Sequence, residues 1–143
     1  MPDSLNPVQA ERSVLCAAWH QPEWLTVLPI AEPDFYDPRL GGLWKVLGEL
    51  HSAGIAADPV TVGQRDPKMI QLLPDIVTMD GALPGNAAHY AAAVRDAAMR
   101  RHTLSTLDGL RQKLNDPQIP VDATMAEVQR SLAGEESKPP ADP

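Results

Sequence analysis

The placement of prolines constrains this chain more than any other feature of its sequence. Proline fixes its own backbone and has no N–H, so a helix accepts it readily only in the first turn. Six of the 15 prolines directly follow an Asn or Asp, and at four of these junctions the side chain can cap a helix that begins at the proline. These four junctions are Asn6-Pro7, Asp37-Pro38, Asp58-Pro59 and Asp66-Pro67. The pattern predicts several short helices, each with a fixed start.

Apolar residues recur with the helical period after these junctions. The predicted helices cover about 7–19, 22–28 and 38–52, with two more beginning at Pro59 and Pro67. One stripe consists of Leu40, Leu43, Leu47 and Leu50, and Gly54 should end its helix. Residues 75–78 are the only candidate strand, and they are few. The sequence therefore predicts an all-α fold with a compact body of about five to six short helices.

The C-terminal half has a different pattern. A long helix is predicted from Ala87 to about Leu114, with Asn86 as its cap, and a shorter one from Ala123 to Ala133 behind Asp122. The predicted organisation is a globular body over 1–86, a long-helix and hairpin arm over 87–133 that packs on the body, and a disordered tail over 134–143.

Charge argues against a general nucleic-acid binder. The chain has 19 acids and 12 bases, a net charge of -7, which repels phosphate backbones. Direct DNA binding should be weak or absent. The long helix is an exception, because it carries an excess of bases. Its arginines form a candidate charged partner surface: Arg95, Arg100, Arg101 and Arg111. The alternative is that a long exposed helix carries charge only for solubility.

The remaining chemistry points away from an enzyme. No glycine-rich phosphate-binding loop with its lysine and hydroxyl occurs, so ATP hydrolysis by these 143 residues is not expected. The four histidines lack metal-ligand spacing, so we expect no metal, no cofactor and no catalytic residues. Cys16 is predicted to be a buried core residue. Glu11 and Arg12 are interpreted as surface charges at the start of a helix rather than as functional residues, because surface ion pairs are common.

Aromatic residues are few, so each has an assigned place. Phe35, the single phenylalanine, and Trp44 are predicted core anchors, while Trp19 and Trp24 flank a loop and should be partly exposed. One cysteine permits no internal disulfide, and no apolar run approaches the ~20 residues that span a bilayer. The sequence thus predicts a cytoplasmic protein with no membrane partner.

The order of short landmarks resembles a known family. These are Ala10-Glu11-Arg12-Ser13-Val14-Leu15, Asp34-Phe35-Tyr36, Leu50-His51-Ser52-Ala53-Gly54, Asp58-Pro59-Val60-Thr61-Val62, and the run from Asn86 through Tyr90 to Arg101. Their order over about residues 5–104 is similar to that of the N-terminal domain of DnaB-family replicative helicases. The chain departs from the family pattern at Cys16, where a glycine is usual, and at Leu40-Gly41-Gly42, where the family often has a histidine and a basic residue.

The resemblance implies a non-catalytic domain of a replicative helicase. In that family the domain is a helical collar whose hairpins pair between subunits and which engages primase. The implied self-association or partner arm consists of Leu104, Leu107, Leu110, Leu114, Met125, Val128 and Leu132. The implied partners are a second copy in a homodimer or higher oligomer, a primase, a helicase loader or a replicative helicase.

Several hypotheses stay open at this point. The first is a replication interaction module of the DnaB type. The second is a stand-alone phage- or plasmid-type regulator of a host replicative helicase, and the third is a helical nucleic-acid-binding domain that uses the arginines. The sequence does not choose between a stand-alone protein and a fragment of a full helicase.

Overall fold

The computed structural model describes residues 7–79 and 82–133, and within these ranges the chain is helical with no strand. The α-helices are α1 (Pro7–His20), α2 (Trp24–Val27), α3 (Pro38–Ser52), α4 (Pro59–Arg65), α5 (Leu73–Val77), α6 (Ala87–Asn115) and α7 (Val121–Ala133). Short 3-10 helices cover Glu32–Asp34, Pro67–Leu72 and Pro84–Asn86. The predicted all-α class is confirmed. None of the described helices has the length and apolarity needed to cross a membrane.

Three of the four predicted Asn/Asp-Pro starts are present as predicted. The Asp37 carboxylate accepts from the Arg39 backbone N–H at 2.9 Å where α3 begins. At α4, Asp58 and Thr61 cap each other reciprocally, at 2.8 and 2.9 Å. Asp66 accepts from the Lys68 N–H at 3.1 Å, although the helix that begins at Pro67 is 3-10 rather than α. The fourth junction includes Asn6, which lies outside the described residues.

The end of α3 also follows the prediction. Gly54 has a φ of +73°, the left-handed conformation that favours glycine after a helix. The Gly54 N–H donates to His51 O at 3.0 Å and the Ile55 N–H donates to Leu50 O at 2.9 Å. This pair of bonds is the Schellman arrangement, which satisfies the last carbonyl groups of a helix.

Other local predictions need correction. The candidate strand at 75–78 is not a strand. Residues 75–77 belong to α5, where Ile76 is buried on a helical turn. Asn86 is the last residue of a 3-10 turn that leads into α6. α7 begins at Val121, so Asp122 lies in its first turn, where the helix dipole favours an acid, instead of preceding the helix. The predicted tail over 134–143 lies outside the described residues.

The chain divides into two compact units inside α6, Met1–Arg100 and Arg101–Pro143. We call the described residues up to Arg100 the body and those from Arg101 to Ala133 the hairpin. The body therefore extends past the predicted limit at residue 86. The reason is that the first turns of α6 are core elements, because Ala87, Tyr90, Ala91 and Val94 are all buried.

The core of the body is mainly aliphatic and is built on α1 and α3. Its largest fully buried side chains include Leu15, Leu43, Leu47 and Ile76. Phe35 and Trp44 are both buried, with ring centroids 5.8 Å apart. Trp19 and Trp24 are half-buried against this core, and Cys16 is buried within it. All five positions agree with the sequence predictions. Burial raises the pKa of the Cys16 thiol, which disfavours the reactive thiolate.

Candidate interaction surface

A buried carboxylate joins two of the landmark segments. Glu11 on α1 has no exposed surface, and its side chain accepts from the backbone N–H groups of Tyr36 at 2.6 Å and Asp37 at 3.2 Å. Hydrogen bonds to a charged acceptor are stronger than those between neutral groups. Glu11 therefore fixes the segment that enters α3 against the first helix.

This position corrects the interpretation of Glu11 as a surface charge. Arg12 is exposed as expected, but Glu11 lies on the buried face of α1. The sequence contained a signal, because Glu11 precedes Val14, Leu15 and Ala18 by three, four and seven residues. These spacings place all four residues on one helical face, so the acid shares a face with core residues. A carboxylate there needs internal donors, and the loop after Phe35 supplies them.

The segment Ala31–Asp37 is fixed by contacts with α1 and α3, but the Tyr36 side chain on it is exposed. Phe35 is buried, whereas Tyr36 is 64% exposed. Asp37 also pairs with Arg39 at 2.9 Å. The hydrogen bonds from Arg39 hold the pKa of the Asp37 carboxyl below its usual range. Gly41 lets this segment lie close to α3, since a Cβ there would be 2.7 Å from Glu32 O.

The four predicted arginines divide between the body and the hairpin. Arg95 donates to Pro29 O at 2.9 Å, and Arg100 pairs with Asp96 at 2.9 Å, so both are engaged within the body. The Asp96 carboxylate raises the pKa of Arg100. Arg101 and Arg111 belong to the hairpin, where Arg101 is half-buried and Arg111 is exposed. The hairpin contributes two of the four charges.

The hairpin is closed by one turn and one ion pair. The Ile119 N–H donates to Asp116 O at 3.1 Å in the connection between α6 and α7. Both Glu127 carboxylate oxygens lie 2.7 Å from Lys113 Nζ, which links the two helices. Among the hairpin residues that the structure describes, 101–133, only Leu110 and Thr124 are buried. Leu110 thus differs from the other predicted arm residues, because it is not available at the surface.

Five of the other predicted arm residues are exposed at the surface. Leu104 is 66% exposed, Leu107 56% and Leu114 50% on α6, with Met125 and Leu132 exposed on α7. Val128 is half-buried.

The exposed residues repeat at coiled-coil spacing. Leu107 and Leu114 are seven residues apart, as are Met125 and Leu132. At about 100° per residue, Leu104, Leu107 and Leu114 lie about 40–120° around α6 from the buried Leu110. On α7, Met125 and Leu132 lie within the same range of angles from the buried Thr124, and the sense of rotation is the same. Because the two helices run antiparallel, this rotation places both stripes on one side of the hairpin. We call this side, formed by Leu104, Leu107, Leu114, Met125 and Leu132, the apolar face.

In the part of the chain that the structure describes, no three His, Cys, Asp or Glu side chains form a group that could hold a metal ion.

The body and the hairpin are both helical in the residues that the structure describes. A family model, the DnaB-like helicase N terminal domain, matches residues 3–96, and the chain belongs to this family. That domain is an accessory part of a replicative helicase, distinct from the ATPase motor. The match ends inside the body, so the hairpin lies beyond it.

A solved structure agrees with the family assignment. The chain is similar to the N-terminal domain of DnaB helicase from Mycobacterium tuberculosis, with a TM-score of 0.71. The match covers 84% of this chain and 94% of that one, at 22% identity, which supports the fold alone. No curated protein matches the chain.

Proposed function

We propose that the chain is a non-catalytic module of DNA replication that associates with itself through the apolar face of the hairpin. The observation that carries the proposal is the exposure of five large apolar side chains on one side of a two-helix unit. A contiguous apolar surface of this kind favours burial against a partner. The seven-residue spacing on both helices fits another pair of helices.

A second copy is the simplest partner for this face. Two-fold packing of identical hairpins would bury both apolar faces at once, and most soluble oligomers use such isologous contacts. Arg111 lies between Leu107 and Leu114 along α6, so it would sit at the interface and help to fix the register.

Sedimentation equilibrium tests the self-association. We expect the intact chain to form a dimer, and Leu107→Asp to be monomeric at the same concentration, because a buried unpaired charge opposes association. Leu83→Asp is the matched control, since Leu83 is 60% exposed in the body. A monomer at every concentration, or equal effects of both variants, would remove the apolar face from the interface.

The same module would bind a primase, a helicase loader or a replicative helicase. The family places the chain in the context of a replicative helicase, and the hairpin offers the charged residues Arg101 and Arg111 beside the apolar face. A reconstituted replication assay with added chain separates two roles. Productive support of unwinding fits an integral collar module, whereas inhibition by the intact chain, relieved in Leu107→Asp, fits a regulator of a host helicase.

A further inference from the structure

Three glycines lie within α3, and packing explains two of them. A Cβ on Gly41 would be 2.7 Å from Glu32 O, and one on Gly42 would be 2.9 Å from Met69 Cε. A Cβ on Gly48 would meet nothing within 4 Å. Glycine inside a helix is less favourable than alanine, because it loses more backbone freedom on folding. Nothing in the described part of the chain therefore requires glycine at position 48.

Gly48 lines an open cleft of about 610 Å³ on the body. The walls come from three helices, with Leu25 and Thr26 on α2, Lys45, Glu49 and Ser52 on α3, and Arg65 on α4. Lys45, Gly48 and Ser52 are three and four residues apart, so they share one face of α3. Any side chain at position 48 would project from that face into the cleft.

The charges around the cleft favour an anionic occupant. Lys45 and Arg65 are both exposed, and Glu49 is the one acid among the lining residues. The Arg65 Nη1 to Glu49 Oε1 distance is 3.7 Å, with both side chains about 40% exposed. A surface ion pair of this length contributes little stability, so Arg65 can exchange Glu49 for an incoming carboxylate. The local charge is positive in a chain whose net charge is -7.

We propose that this cleft docks an acidic segment of a partner protein, whose backbone passes over Gly48. Carboxylates of the segment pair with Lys45 and Arg65, and an apolar side chain contacts Leu25. The missing side chain at position 48 allows the close backbone approach that glycine characteristically permits. This second docking site lies on the body and does not depend on self-association through the hairpin.

NMR titration of the isotope-labelled intact chain tests the proposal. The probe is a blocked ten-residue peptide of alternating glutamate and leucine, and the same peptide with lysine for glutamate is the charge control. We expect saturable shifts of the Lys45, Gly48 and Arg65 amides with the acidic peptide only. Gly48→Leu should occlude the cleft and Lys45→Glu should reverse its charge, each weakening binding about tenfold or more.

Lys68→Glu is the matched variant, because Lys68 is an exposed lysine of the body outside the cleft lining. Lys68→Glu makes the same change of charge as Lys45→Glu but outside the cleft, so it should change the affinity by less than about twofold. Thermal unfolding of Gly48→Leu at or above the wild-type midpoint shows that its loss of binding does not arise from misfolding. The absence of saturable shifts at the cleft, or equal losses in Lys45→Glu and Lys68→Glu, overturns the proposal.

Discussion

The body and the hairpin use their apolar residues in opposite ways. In the body, α1 and α3 direct Leu15, Leu43 and Leu47 into one core, where each is at most 1% exposed. In the hairpin, Leu110 and Thr124 alone are buried among the described residues, and most of the large apolar side chains face outward. The body satisfies its own hydrophobic surface, whereas the hairpin does not.

The contrast indicates which unit would gain more from the proposed association. A unit that buries few side chains gains little from the hydrophobic effect, so two short antiparallel helices have limited stability by themselves. An additional helical pair on the apolar face would supply the missing burial. Stability should therefore depend on internal packing in the body and on association in the hairpin.

The largest expected effect comes from removing a core anchor of the body. Phe35→Ala should destabilise the chain by about 3–5 kcal/mol, because it deletes a buried ring packed on Trp44. Leu107→Ala, measured in dilute solution where the chain is monomeric, should cost less than about 0.5 kcal/mol, since Leu107 is already exposed. Urea unfolding followed by circular dichroism provides both values. Comparable losses in the two variants would abolish the contrast between the units.

The Glu11 contact should have the next largest effect. Glu11→Ala leaves the Tyr36 and Asp37 N–H groups without their acceptor and should cost about 2–4 kcal/mol. Glu11→Gln keeps one side-chain oxygen and should cost less. Glu23→Ala, at an exposed position, serves as the control and should be near neutral. If Glu11→Ala were as mild as Glu23→Ala, the body would not depend on this carboxylate.

Phe35 and Glu11 show which features of the fold could be predicted from the sequence and which could not. Phe35 could be assigned to the core because an aromatic-poor chain has few large side chains with which to fill it. The Asp37, Asp58 and Asp66 caps could be predicted because capping acts over two or three residues. Glu11 could not be placed by such local rules, since its donors lie 25 and 26 residues away in the sequence.

The division of α6 between the body and the hairpin could not be predicted from the sequence either. The helical period continues from Tyr90 to Leu114, so the pattern predicts one helix and does not show which turns enter a core. Burial shows that Val94 belongs to the body, while Leu104 is exposed on the hairpin. Leu110 belongs to the same periodic stripe but is buried, because burial depends on the three-dimensional course of the second helix.

Two glycines on α3 should respond in opposite ways to substitution by alanine. Gly41→Ala should cost about 1–3 kcal/mol, because the new Cβ would meet a backbone oxygen at 2.7 Å. Gly48→Ala should instead stabilise the chain by up to about 1 kcal/mol, since it meets no atom within 4 Å and alanine favours the helix. Thermal unfolding of the two variants checks the opposite signs. A loss in Gly48→Ala would mean that the body itself needs this glycine.

The smallest expected effect lies inside the hairpin. Thr124 is 2% exposed, and its Oγ1 has no hydrogen-bond partner among the described residues. Valine has nearly the same shape and a similar helix propensity, so Thr124→Val removes a desolvated hydroxyl without creating a cavity. We expect a stabilisation of about 1 kcal/mol, read as slower hydrogen exchange of the Leu110 amide. Thr103→Val, at an exposed position on α6, should leave that rate unchanged. Faster exchange in Thr124→Val would show that the hydroxyl is bonded in solution and that the hairpin is more completely satisfied than its contacts indicate.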